Sequence, residues 1–259
     1  MNKAEKKQRL FLVLGSFFLA NAIIAEFVGV KIFSLEQSLG FSPAKLMFFG
    51  HELSFNMTAG ALLWPFVFIM TDIINEYFGK KGVRTYTYIS AVMICYAYAA
   101  VWLSMESVPA TFWIEKKLDN GTLNMDMAFD NVFGQGLWII IGSLVAFLIG
   151  QLVDVMVFHR LKRLTGSSKI WLRATGSTVV SQLVDSFVVI FIAFYIGKLN
   201  TPDQWPLSLV LAISVVNYLY KVFMALALTP LLYLGHAIID WYLGKELAHE
   251  MTEQAHHEN

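Results

Sequence analysis

The sequence predicts an all-α integral membrane protein of about six transmembrane helices with both termini in the cytoplasm. Three observations lead there. Of the 259 residues, 57% are apolar and only 15% are charged, whereas soluble domains carry roughly 25% charged residues. The apolar residues fall in blocks of the length a span requires, ~20 residues. The basic residues sit between those blocks in an alternating pattern, as the positive-inside rule demands.

The first block, residues 10–33, follows the basic stretch Lys6-Lys7-Gln8-Arg9. It exceeds a signal-peptide core of about 7–15 residues and no small-residue cleavage site closes it, so it reads as a retained first span. Further blocks cover residues 59–78, 86–104, 132–158, 177–196 and 207–234. No strand alternation is sustained, and only helices or closed barrels satisfy their backbone in lipid. The last block is expected to continue helically past Pro230 to Trp241 as an interfacial end, too short for a seventh crossing. Residues 1–244 thus form a single transmembrane domain, followed by a polar cytoplasmic tail, 245–259, whose His256-His257 pair reads as solvated.

With a cytoplasmic N-terminus, the inner segments hold Lys3, Lys6, Lys7, Arg9, Lys80, Lys81, Arg84, Arg160, Lys162, Arg163, Lys169, Arg173 and Lys245, thirteen cations. The outer loops hold four, Lys45, Lys116, Lys117 and Lys198. This bias fixes the expected orientation. The longest outer loop, 105–131, carries five acids and the sequon Asn120-Gly121-Thr122, a triplet common by chance. The lone cysteine, Cys95, lies within a block and excludes a disulfide framework.

Charges at bilayer depth cost about 2.5–3.5 kcal/mol each, so they face partners or a water-filled cavity. Here they are Glu26 and Lys31 in or near span one, Asp72 and Glu76 in span two, Asp154, Asp185 and Lys221 in spans four to six. Asn21, Asn75, Gln151, Gln182 and Asn217 accompany them. Asp72, Asn75 and Glu76 share one helix face by i, i+3, i+4 spacing, as do Gln151 with Asp154, Gln182 with Asp185, and Asn217 with Lys221. Polar faces on four helices make no sense against lipid and must converge. At ~1.5 Å rise per residue, Asn21, Gln182, Asp185, Asn217 and Lys221 fall near mid-membrane. Asp72, Glu76, Gln151 and Asp154 lie nearer the cytoplasm, giving a central polar pocket with an acidic inner exit. Glu76 and Asp154 also fit snorkelling interfacial acids, and Asp185–Lys221 also fits a structural ion pair. Gln-Leu-Val-Asp occurs twice, at 151–154 and 182–185, and transporters often carry internal repeats. Trp64, Trp138, Tyr77 and Tyr218 are available to stack on a planar ligand or to pack.

No phosphate-binding G-x-x-x-x-G-K-[ST] loop, H-E-x-x-H pair, zinc-spaced Cys/His set or G-x-S-x-G elbow occurs, so neither cofactor nor metal is expected and transport outranks catalysis. An intramembrane enzyme and a purely structural membrane protein are the remaining classes.

Specific stretches carry a resemblance. Trp64-Pro65-Phe66-Val67-Phe68 leading into Thr71-Asp72-Ile73-Ile74-Asn75-Glu76-Tyr77-Phe78-Gly79 resembles the second-helix signature of the queuosine precursor transporter family, also called the VUT or YhhQ family. Gly150-Gln151-Leu152-Val153-Asp154-Val155 through His159-Arg160-Leu161-Lys162 is similar to its fourth helix. Trp171-Leu172-Arg173 with Ser177-Thr178 and Gln182-Leu183-Val184-Asp185-Ser186 is similar to its fifth, and Asn217-Tyr218-Leu219-Tyr220-Lys221-Val222 to its sixth. Asn21 sits where the first helix has an asparagine, while Glu26 departs from the pattern.

The resemblance implies import of 7-cyano-7-deazaguanine and/or its 7-aminomethyl form across the bacterial plasma (inner) membrane, for queuosine modification of tRNA. The implied alternative is a vitamin-uptake-type, substrate-binding membrane subunit for another small heterocycle, working with a separate ATPase. Expected partners are the deazaguanine, the lipid bilayer and a second copy of the chain, with no nucleic acid. A deazaguanine presents an N–H and an exocyclic NH₂ side by side, which one carboxylate accepts bidentately. Asp185 or Asp72 is the candidate for that contact, with Gln151, Gln182, Asn75 and Asn217 on the remaining edge and Lys221 at the carbonyl or holding an aspartate ionised. Asn21, Glu76 and Asp154 complete the expected substrate-binding set.

Overall fold

The computed structural model describes residues 2–119, 121–134, 137–165, 170–202 and 204–257. Asn120 of the sequon and Lys169 of the inner segments lie outside the described residues, as do the side chains of His256 and His257.

Helix α1, Lys3–Val28, starts before its apolar block because Asn2 caps it. The Asn2 side chain accepts from the Glu5 N–H at 2.8 Å, and Glu5 accepts from the Asn2 N–H at 3.0 Å, a reciprocal capping box. A connecting segment follows, in which β1 (Ile32–Ser34) pairs antiparallel with β4 (Asn56–Thr58). Between them lie the short α2 (Leu35–Ser38) and the hairpin of β2 (Leu46–Phe48) with β3 (His51–Leu53). A 3₁₀ turn, Ala59–Leu62, leads into α3, Trp64–Met105.

Helix α3 is not one rod. Gly79 adopts φ 64 and ψ −170, a combination open essentially to glycine alone. Packing against α1 shows what the break does. Gly60, just ahead of α3, abuts the carbonyl of Ala25 near the end of α1, and Phe78 packs on Phe11 near its start. Beyond Gly79, Tyr86 packs on the same Phe11, and Tyr98 reaches back to Glu26. Residues 64–78 therefore run antiparallel to α1 and residues 80–105 run parallel to it, so α3 doubles back at a single residue. The two arms coincide with the second and third apolar blocks.

The segment after α3 is built of α4 (Thr111–Ile114), the hairpin of β5 (Glu115–Leu118) with β6 (Gly121–Asn124), and α5 (Met125–Phe133). The sequence shows no sustained alternation because these pairs are only three or four residues long. Helix α6 (Leu137–Thr165) packs against α7 (Ile170–Ile190), which continues through a π-helical turn, Phe191–Ile196. Their approach is close: a Cβ on Gly142 would meet the Val189 carbonyl oxygen at 3.0 Å, the close contact between helices that small residues allow in membranes.

Helix α8 (Leu207–Ala227) breaks at Leu228, and α9 (Thr229–Leu243) begins afresh with Pro230 in its first turn, where a missing N–H costs nothing. Gly244 then starts α10, Lys245–His257. Residues 245–257 of the polar tail are helical, and Leu247, Ala248, Met251 and Ala255 are buried. Ala255 lies against Gly79, and Glu250 meets Lys7 at 3.2 Å and Lys3 at 3.4 Å.

Among the described residues, five helical runs are long and apolar enough to cross a membrane, with mean hydropathies of 1.6 to 2.1. The longest, Ala59–Met105 with 47 residues, contains the reversal. Leu12, Val13 and Phe17 of α1 and Val92, Tyr96 and Leu103 of α3 are exposed, forming apolar outer stripes suited to lipid. Phe18, Tyr86 and Phe147 fill the interior between α1, α3 and α6.

Candidate functional site

The polar faces expected to converge do converge. The Thr71 hydroxyl meets the Gln151 side-chain oxygen at 3.1 Å, joining the first arm of α3 to α6. Ser181 donates to Asp154 at 3.1 Å, joining α6 to α7. His159 Nε2 meets Asn75 Oδ1 at 2.7 Å. Glu76 accepts from Arg173 at 3.0 Å and pairs with Lys162 at 3.3 Å. All of these side chains are buried, Arg173 and Asp154 completely.

This corrects the reading of Glu76 and Asp154 as snorkelling acids: both are held by partners inside the bundle. Glu76 and Asp154 sit in this packed network, whereas Asp72 lines a small pocket beside it. His159, Lys162, Arg173 and Ser181 were not among the expected site residues. Lys162 and Arg173 read as inner-segment cations, and His159, five residues after Asp154, falls off that residue's helix face.

A large cavity and a smaller pocket lie beside this network. The larger encloses about 900 Å³ and opens toward the segment carrying β1 to β4. Asp185 from α7, Asn217 and Lys221 from α8, Glu26 from α1 and Ser143 from α6 line it, with Trp205 at its rim. Lys221 and Asp185 form an ion pair at its wall. Asn217 donates to the Ile213 carbonyl at 3.1 Å, leaving its side-chain oxygen free of that bond. Trp205 stacks on Phe194 with ring centroids 3.9 Å apart, presenting a flat aromatic surface that sequence reading overlooked because it lies in a connecting segment.

The smaller pocket leaves room of about 30 Å³, enough for water but not for a heterocycle. Asp72, Gln182, Thr175 and Thr178 line it. Trp64 and Lys221 line both cavities and so stand on the boundary between them. Gln182 is 2% exposed, and neither of its amide atoms has a hydrogen-bond partner among the described residues. One oxygen of Asp72 and one of Asp154 are buried in the same condition.

Asn21 is not part of either lining; its amide donates to the Phe17 carbonyl of its own helix at 2.8 Å. Tyr77 is engaged with Asp240 at 2.7 Å and His236 at 3.1 Å, which leaves it as packing rather than a stacking platform. In the connecting segment after α1, Glu36 accepts from the N–H groups of Phe55 at 2.8 Å and Ala44 at 3.2 Å and ties the segment together. Desolvation opposes ionisation there, yet those backbone donors outweigh it and hold the Glu36 carboxyl below its ordinary value.

A multi-pass helical bundle whose ionic and amide side chains surround an internal cavity large enough for a small molecule defines an integral membrane transporter. The family described as "Putative vitamin uptake transporter" matches residues 58–235, and the chain belongs to it. A "Probable queuosine precursor transporter" of Bacillus subtilis is 30% identical over 187 residues, covering 70% of this chain and 72% of the relative. The "Queuosine precursor transporter" of Escherichia coli K12 is 29% identical over 177 residues, covering 67% and 70%. A Haemophilus influenzae relative, also a "Probable queuosine precursor transporter", is 27% identical over 184 residues, covering 69% and 67%. No solved structure matches the chain. With bacterial relatives and several membrane-length apolar helices, the chain is a multi-pass protein of the bacterial plasma (inner) membrane.

Proposed function

We propose that this chain imports queuosine precursors, 7-cyano-7-deazaguanine and/or its 7-aminomethyl form, into the cytoplasm for tRNA modification. The observation that carries the reading is the cavity of about 900 Å³ bounded by Asp185, Asn217 and Lys221, in a chain whose relatives bear the name queuosine precursor transporter. Its size lies within the ~300–1,000 Å³ usual for small-molecule sites. Its lining supplies what a deazaguanine needs: carboxylates for paired N–H donors, an ammonium for the ring carbonyl, and aromatic surface for the plane.

Trp64 and Lys221, between the large cavity and the small pocket, mark where the substrate would be passed onward. Asp72 and Gln182 lie on the far side of that boundary, with Gln151 and Asp154 behind them. Asn75 and Glu76 act through the buried network that shapes the pocket, and Asn21 contributes to α1 alone. A homodimer is consistent with this reading and is not required by it.

The test is complementation. Bacteria lacking both precursor synthesis and their own transporter would express this chain and receive limiting 7-cyano-7-deazaguanine. Appearance of queuosine in tRNA is the expected result; its absence, with the protein present in the membrane, sinks the proposal. Uptake by the purified chain in liposomes, with no ATPase added, separates it from a subunit of an ATP-driven complex.

A further inference from the structure

Two carboxylates from membrane helices face the large cavity, and they are in opposite situations. Asp185 is paired with Lys221, so its charge and its best acceptor direction are occupied. Glu26 is held by neutral donors only. Ser143 of α6 donates to one of its oxygens and Tyr98, in the second arm of α3, to the other at 3.3 Å. Among the described residues no cation lies within ion-pair distance of Glu26.

A carboxylate has roughly four lone-pair sites. Ser143 and Tyr98 take one on each oxygen and leave one free on each. Those two donors reach Glu26 from different helices, and Tyr98 is itself fixed by stacking on Phe27 at 5.8 Å. The group is therefore oriented before anything binds, and it lies on the wall of the cavity with an unused acceptor site on each oxygen. A pre-oriented carboxylate in a low-dielectric site, with unused acceptors, suits a partner that brings two adjacent donors.

We infer that Glu26 is the specificity-determining carboxylate of the site, accepting the adjacent ring N–H and exocyclic NH₂ of a 2-aminopyrimidinone-type edge. The inference rests on the import reading above and sharpens it, because it moves the bidentate contact from Asp185 or Asp72 to α1. Asp185 then serves chiefly to hold Lys221 at the boundary of the two cavities. Ligands with a second carbonyl or a hydrogen where the amine should be would leave an acceptor of Glu26 unmatched, and buried acceptors left unpaired discriminate strongly.

The experiment measures uptake of radiolabelled 7-cyano-7-deazaguanine into cells expressing the full chain, with competition by unlabelled 7-cyano-7-deazaguanine and by its analogue lacking the exocyclic amine. The wild-type chain is expected to prefer the amine-bearing ligand. In Glu26→Gln, one acceptor becomes a donor. Uptake is expected to fall on the order of 100-fold, as loss of two charge-assisted bonds predicts, and the preference is expected to collapse toward unity. Uptake by the wild type with an unchanged preference in Glu26→Gln overturns this assignment alone. No deazaguanine uptake by the wild type overturns the import reading and this assignment with it. Should Glu26→Gln not reach the membrane, Glu26→Asp decides. Retained preference at reduced uptake supports the assignment. Wild-type uptake and preference reject it, because a carboxylate drawn back by one methylene cannot keep the same contacts.

Discussion

Arg173 and Glu76, 97 positions apart in the sequence, meet at 3.0 Å in the interior of the bundle, where the arginine side chain is wholly buried. Lys162 approaches the other oxygen of the same carboxylate at 3.3 Å. One acid thus holds two cations from α6 and α7 against the first arm of α3. Removing the shared member of a buried ionic cluster strands its partners, at a cost of about 3–5 kcal/mol. Glu76→Gln is expected to lower thermal stability in detergent by about that amount and to reduce the quantity in the membrane. Unchanged stability would show that the cluster is solvated.

Gly79 is the second sensitive position. Its φ of 64 with ψ −170 is barred to side chains with a Cβ, and the backbone of Ala255 lies 3.4 Å from where that Cβ would stand. Gly79→Ala is expected to cost about 1–3 kcal/mol, read as a lower melting temperature. Straightening α3 would also loosen α10, so faster backbone hydrogen exchange at Met251 and Ala255 should accompany it.

The Asp185–Lys221 pair can be separated from the stability of the fold. Asp185→Asn leaves the ammonium without its counter-charge and is expected to reduce uptake at least about tenfold. The double change Asp185→Asn with Lys221→Met removes the stranded charge, so it should recover stability without recovering transport. Normal uptake in a normally folded Asp185→Asn would take Asp185 out of the site.

At the bundle end, Glu250 accepts from Lys7 and Lys3, and these bonds hold its carboxyl below the ordinary 4.5. A depressed carboxyl stabilises the fold above its unfolded value and loses that contribution as pH falls through its folded value. The clasp between α1 and α10 should therefore be intact at neutral pH and fade below about pH 4.5. Exposed pairs contribute little, so the readout is local: proteolysis of α10 against pH. Glu250→Gln should make that profile flat across the acid range.

Much of this architecture was legible because membrane insertion punishes polar residues unless they have company. Asp72 with Asn75 and Glu76, or Gln182 with Asp185, could be assigned to interior faces from helical spacing alone. Spacing within one helix does not say which neighbour faces it, so the Glu76–Arg173 and Asn75–His159 contacts were invisible. Lys162 and Arg173 were hidden for a second reason: counting cations at helix ends places them in the cytoplasmic loops, while α6 and α7 extend far enough to bury both. Glu26 is legible as a charge at bilayer depth, but its partners Ser143 and Tyr98 lie more than seventy residues away and spacing does not reveal them. The gap between the apolar blocks 59–78 and 86–104 does not reveal that one glycine, Gly79, makes the reversal.

Because Lys3 and Lys7 touch Glu250, the chain begins and finishes at the same end of the bundle. A path that returns to its starting side has traversed the barrier an even number of times. Five apolar runs taken as five crossings would break that parity, and the turn at Gly79 restores it by making one run count twice. Topology reporters fused to either terminus should accordingly give the same answer, whichever side that is.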